Sequence, residues 1–142
     1  MVTPELGWHE ESRQAVRLSL HITDYASPDG PAGLGAGLGH IARAADEAGL
    51  DTLWISEHLI RGDPSGSTDA YMVEAYATLG FLAGQTQRIK LGTMVSGLTY
   101  RPPALLVEAV STLDGLSGGQ AWLATRSRSS PPLRFAGEYD PG

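Results

Sequence analysis

The sequence predicts an α/β fold built on a parallel sheet, and three observations carry that prediction. Short apolar runs alternate with longer segments of helical period, in the order β-α-β-α-β-α-β. Such alternation implies right-handed crossovers and parallel strands. The strand runs are nearly continuous in apolar residues, as expected of a sheet covered on both faces. The glycines, 18 in 142 residues, gather where the pattern needs breaks.

Each element has its own signature. Val16, Leu18, Leu20 and Ile22 alternate with Arg17, Ser19 and His21, the period of a strand. A loop over 26–33 follows. Leu34, Leu38, Ile41, Ala42 and Ala45 then recur at helical spacing, and Gly49 is placed to end that helix. Residues 52–56 (TLWIS) read as a buried strand, and 61–69 as a polar loop. Met72, Tyr76, Leu79 and Ala83 mark a second helix, and 89–95 (IKLGTMV) a third strand. Pro102 and Pro103 open a third helix, where a missing N–H costs nothing. Its stripe is Leu106, Ala109, Val110, Leu113 and Leu116, and Gly118-Gly119 ends it. Residues 121–124 (AWLA) are the fourth strand.

Three segments result: a flexible tail over 1–14, the α/β unit over 15–124, and an irregular, Arg-, Ser- and Pro-rich tail over 125–142. Periodicity alone leaves open a doubly wound sheet or part of a barrel. No G-x-G-x-x-G follows the first strand, which weakens the dinucleotide-binding version. The alternating Gly33, Gly35, Gly37 and Gly39 read as a connector, with an anion-receiving helix start as the lesser alternative.

Composition narrows the function classes. A net charge of −6 argues against nucleic acid as a partner. No apolar run approaches the roughly 18 residues that span a bilayer, and the N-terminus lacks a signal-peptide layout. A cytoplasmic protein with a small-molecule substrate is the expectation. Cysteine is absent, which removes disulfides, thiolate metal sites and cysteine nucleophiles. The histidines do not pair at metal-binding spacing, so no metal is expected.

Several strings resemble a known family when taken together. They are LSLHITDY (18–25), ARAADEAGLDTLWISEHL (42–59), EAYATLGFLAGQTQRIKLGTMVSGLTYRPPALL (74–106) and STLDGLSGGQAWL (111–123). In order and in register, they are similar to the first half of luciferase-like oxidoreductases, most of all the subgroup that uses coenzyme F-420. The resemblance implies a partial (β/α)8 TIM barrel: about four parallel strands and three helices of its N-terminal half. The cofactor would sit at the carboxyl ends of the strands. The likeness breaks after Leu123, where relatives continue with a glycine-rich turn and this chain has ATRSRSSPPLRF. A truncated or frameshifted reading frame is one explanation.

Candidate site residues follow. Glu57 and His58 come directly after strand two, where a barrel places reactive groups, and a histidine exchanges protons near neutral pH. Without the family, a solvated loop histidine is the better reading. The resemblance implies instead that His58 lies beside the deazaflavin as the proton-transfer group, with Glu57 helping to hold the ring. Gly92 to Gly97 suggests a strand bulge. By resemblance Met94, Val95 and Gly97 form the backstop of the ring, with a cis Met94–Val95 peptide in relatives. A half-barrel is expected to let that bond relax to trans.

Thr23, Asp24 and Tyr25 end strand one at the same mouth. Asp24 is either a cofactor contact or a turn cap. Tyr100 and Arg101 read as a solvated loop, with substrate contact as the alternative. His9, His21 and His40 carry no assigned role, and Trp54 and Trp122 read as core.

Two function classes remain. One is an oxidoreductase exchanging a hydride between F-420 and a small organic substrate, with an FMN-dependent monooxygenase as its neighbour. The other is a non-catalytic half-barrel whose exposed strand edges invite self-association.

Overall fold

The computed structural model describes residues 16–58 and 72–126. The polar loop over 61–69, Ala15 and both tails, apart from Thr125 and Arg126, lie outside the described residues. Strand β1 (Ser19–Ile22) leads through a single 3-10 turn into helix α1 (Leu34–Glu47). Then come β2 (Thr52–Ile55), α2 (Ala75–Ala83), β3 (Lys90–Thr93), β4 (Ser96–Gly97), α3 (Pro103–Ser117), β5 (Ala121–Trp122) and β6 (Thr125–Arg126). The main sheet is parallel, in the order β1-β2-β3-β5. This is the predicted arrangement of four strands and three helices.

Helix ends follow local chemistry. Gly49, at φ +76°, lets the chain leave α1 while Leu50 N–H reaches back to the Ala45 carbonyl at 3.1 Å. Gly118 does the same for α3 at φ +68°. Glu74 starts α2, its carboxylate accepting from Ala77 N–H at 2.6 Å. Met72 therefore lies before α2 rather than on its stripe. Three of the alternating glycines, Gly35, Gly37 and Gly39, lie inside α1.

Strand register sorts the sheet residues onto two faces. Leu20, Leu53, Leu91 and Ala121 share one row, and Ile22, Ile55 and Thr93 the next but one. This face packs on Leu38, Ala42 and Ala45 of α1, Ala75, Leu79 and Leu82 of α2, and Leu113 of α3. The row between them, His21, Trp54, Gly92 and Trp122, points to the opposite face.

That opposite face corrects two expectations. Among the described residues the helices cover one face of the sheet only. Trp54 is half-buried and Trp122 is 45% exposed, so they are not core residues. Their rings meet edge to face at 6.4 Å across Gly92. A Cβ at Gly92 would lie 2.6 Å from the Trp122 carbonyl oxygen and 2.8 Å from the Trp54 ring. Glycine is thus required by close approach, not by backbone angle. The buried stripe of α3 also stops at Leu113, because Leu116 is 85% exposed.

Asp46 ties the last turn of α1 to the loop before β3. Its carboxylate accepts from the backbone N–H groups of Gln87, Arg88 and Ile89 at 2.8, 3.2 and 2.9 Å. Burial alone would raise its pKa. The three donors and the Arg88 guanidinium outweigh burial and hold the carboxyl below its ordinary value. No described helix is long and apolar enough to cross a membrane.

Candidate functional site

The third strand breaks where the sequence suggested a bulge. β3 ends at Thr93, a turn takes Met94 and Val95, and β4 resumes at Ser96. The Met94–Val95 peptide is cis, contrary to the expected trans form. Groups on either side of it are held by the described residues. Met94 N–H donates to the Ile55 carbonyl at 2.9 Å, and Ser96 N–H to the Ala124 carbonyl at 2.8 Å. The buried Ser96 hydroxyl lies 2.5 Å from Thr93 Oγ1 and 2.6 Å from Tyr76 Oη. β4 then pairs in parallel with β6, so Thr125 and Arg126 continue the fold beyond Ala124. No periodicity in the sequence announced that pairing.

Glu57 joins the end of β2 to this bulge. Its side chain is 4% exposed, and Oε2 accepts from Gly97 N–H at 2.8 Å. Its other oxygen pairs with the Arg101 guanidinium. Arg101 also reaches Glu74 Oε1 at 3.1 Å and stacks over the Tyr76 ring at 4.6 Å. Arg101 is therefore not a solvated loop residue; its side chain is only 16% exposed. A carboxylate this buried needs a cation and donors. The signal was present in the sequence as an arginine closing the strand-three loop, but nothing local revealed its partner.

His58, one residue on, is exposed. Because Glu57 is bonded to Gly97, the chain at His58 is carried to the side of the bulge. Met94 there is 42% exposed, and Leu98 and Tyr100 are exposed as well. Val95 and Gly97 are half-buried, and the Tyr100 ring covers Gly97 so closely that a Cβ would sit 2.9 Å from it. The structure thus brings Glu57, His58, Met94, Val95 and Gly97 to one end of the sheet. Asp24 adopts its turn-capping alternative, accepting from Ala26 N–H at 3.0 Å.

Tyr25 does not face the mouth as expected. It is buried, donating from Oη to the Ile22 carbonyl at 3.2 Å and accepting from Ser56 N–H at 3.0 Å. Burial raises its pKa against the hydrogen bonds with Ser56. Ser56 Oγ in turn lies 3.1 Å from His21 Nε2. Partial desolvation of the ring, and then the nearby His58, hold the His21 imidazole below the ordinary histidine pKa, although the residue as a whole is exposed. Among the described residues, no group of three or more His, Cys, Asp or Glu side chains is placed to hold a metal ion.

A family model described as luciferase-like monooxygenase matches residues 24–132. The chain belongs to that family. An F-420-dependent glucose-6-phosphate dehydrogenase of Kineococcus radiotolerans is 38% identical over 87 residues, which is 61% of this chain and 25% of that protein. An N-acetyl-S-(2-succino)cysteine monooxygenase of Bacillus subtilis is 30% identical over 123 residues, 83% of this chain and 28% of its own length. The matched segment thus spans about a quarter of these luciferase-like relatives.

Solved structures show the same fold. The F-420-dependent tetrahydromethanopterin reductase of Methanopyrus kandleri superposes with a TM-score of 0.59 at 22% identity, over 76% of this chain and 26% of its own. The oxygenating component of 3,6-diketocamphane monooxygenase from Pseudomonas putida, solved with FMN, gives 0.63 at 24% identity, over 77% and 29%. The luciferase-like family therefore includes both F-420- and FMN-dependent relatives of this chain, and these neighbours are TIM-barrel proteins.

Proposed function

We propose that this chain carries the ring-facing part of a luciferase-like cofactor site. In this reading coenzyme F-420 is the cofactor and His58 moves the proton that accompanies hydride exchange with a small organic substrate. One observation carries the reading: an exposed imidazole held beside an exposed, partly apolar strand bulge by the two-ended anchorage of Glu57.

The residues present fit a flat, redox-active ring. Met94 offers apolar surface for its face, and Val95 and Gly97 fix the backbone beneath. F-420, when bound, supplies two-electron hydride chemistry. Hydride gain or loss at a substrate leaves one proton to be delivered or removed, and a histidine does either near neutral pH. Glu57, with both oxygens engaged, holds the mouth together rather than exchanging that proton. FMN is the second reading, favoured by the Bacillus subtilis monooxygenase, which aligns over the longest stretch of the relatives compared. A flavin would add oxygen activation, which a deazaflavin does not provide.

The test is titration of the purified chain with F-420 and with FMN, followed by fluorescence. Saturable F-420 binding is expected, roughly three- to tenfold weaker in His58→Ala, the worth of one lost hydrogen bond. Preference for FMN would move the assignment to the monooxygenase branch. Absence of binding by folded protein would leave the family membership and remove the cofactor site.

A further inference from the structure

Helix α2 opens with a tyrosine that the core alone does not explain. Tyr76 is the second residue of α2 and half-buried, its phenol ring packed against the core. A leucine would fill much of the same space. The hydroxyl has a partner of its own, as the hydroxyl of an inward-facing tyrosine generally needs. Tyr76 Oη lies 2.6 Å from Ser96 Oγ, and Ser96 Oγ lies 2.5 Å from Thr93 Oγ1. Ser96 and Thr93 are buried, and they stand on either side of the Met94–Val95 turn. The three hydroxyls therefore form one chain across the buried side of that turn. Each has one proton to donate and can also accept, so the chain is satisfied in either direction.

The face of the same phenol ring serves a second route to the bulge. The Arg101 guanidinium stacks over it at 4.6 Å and pairs with Glu57, whose Oε2 accepts from Gly97 N–H at 2.8 Å. Arg101 also reaches Glu74 Oε1 at 3.1 Å, so the guanidinium is seated on the start of α2. We infer that Tyr76 is a positioning residue of the proposed cofactor site: its hydroxyl fixes Ser96, its ring seats Arg101, and by these two routes α2 sets the backbone of the bulge. The inference rests on the reading of Met94, Val95 and Gly97 as the surface that receives the F-420 ring. That backbone must be ordered before the cofactor arrives, because ordering it on binding would subtract from affinity. Tyr76 acts from the helix side of the sheet, through Ser96, Arg101 and Glu57.

Amide hydrogen exchange of the full chain tests this without any cofactor. Ser96 N–H, bonded to the Ala124 carbonyl, reports the first route, and Gly97 N–H, bonded to Glu57, reports the second. Leu91 N–H, bonded to the Gln120 carbonyl within the sheet, reports opening of the core. Tyr76→Phe keeps the ring under Arg101 and removes the hydroxyl. Relative to Leu91, exchange at Ser96 should then quicken about three- to tenfold, the worth of one hydrogen bond, while Gly97 keeps its protection. Tyr76→Leu removes both routes and should quicken Ser96 and Gly97 together. A tyrosine that merely fills the core would leave Tyr76→Phe unchanged and speed all three amides alike in Tyr76→Leu; that result would overturn the inference. Should Tyr76→Leu not fold, the Ser96 result in Tyr76→Phe decides alone. F-420 titration of the same proteins separates the two readings. Wild-type binding that weakens by a similar factor in Tyr76→Phe is expected, and binding unchanged by that substitution would overturn the positioning role. No binding by wild type would sink the cofactor reading, and the exchange pattern would still decide whether Tyr76 holds the bulge.

Discussion

At the scale of single residues, the site is organised by a buried ion pair more than by the exposed histidine it displays. Glu57 and Arg101 are distant in sequence, and each is useless to the fold without the other. Removing the cation leaves a carboxylate in a space 4% exposed, next to a single N–H donor. Arg101→Met should therefore cost about 3 kcal/mol, as breaking buried pairs generally does. Arg101→Lys should recover part of that loss, because it restores charge but not the forked contact to two carboxylates. Urea unfolding of the three proteins checks this. A loss under about 1 kcal/mol for Arg101→Met would mean that water screens the pair as it does at a surface. The candidate site was half legible in the sequence. Glu57 and His58 could be named because they follow a strand directly and match the family's pattern, and Met94 to Gly97 because glycine interrupts a strand where the family has its bulge. Arg101 and Ser56 could not, since their roles depend on contacts between segments far apart in the chain.

At the scale of elements, the sequence was most informative where one face of a helix or strand meets the core. The Leu20, Leu53 and Leu91 row and the Leu38, Ala42, Ala45 stripe are where periodicity put them. It was least informative where one element is tied to the next by polar groups, and Asp46 is the clearest case. Asp46→Ala leaves three backbone N–H groups without their acceptor, at a cost of about 3 kcal/mol. The effect has a pH signature. The folded carboxyl is depressed, so its stabilisation is complete above the ordinary aspartate value of about 4. It is lost as pH falls through the folded value, because the unfolded chain takes up the proton first. Urea midpoints measured from neutral to acid pH should fall less steeply for Asp46→Asn than for wild type. Parallel acid limbs would show that other carboxylates dominate. Short strands escaped periodicity altogether: β4 and β6 have two residues each, too few to show a period.

At the scale of the whole molecule, a sheet of four parallel strands has two ends and, here, two unlike faces. The terminal strands are β1 and β5, each with one row of backbone groups unpaired within the described sheet. The face away from the helices carries Trp54 and Trp122. Such edges promote pairing with another chain. Sedimentation of the full chain should accordingly show association that grows with concentration, and Leu123→Lys beside the β5 edge should weaken it. A monomer at every concentration would contradict this. The apolar strands implied two covered faces, and the described residues supply cover for one. The chain matches only about a quarter of the length of its luciferase-like relatives. Whether the end of this sheet holds a cofactor ring is answered most directly by amide correlation spectra recorded while F-420 is added to the full chain. Shifts that saturate together at Glu57, His58, Met94, Val95 and Gly97 are the predicted result. No shifts at high F-420, or shifts confined to the outer faces of α1, α2 and α3, would contradict the site.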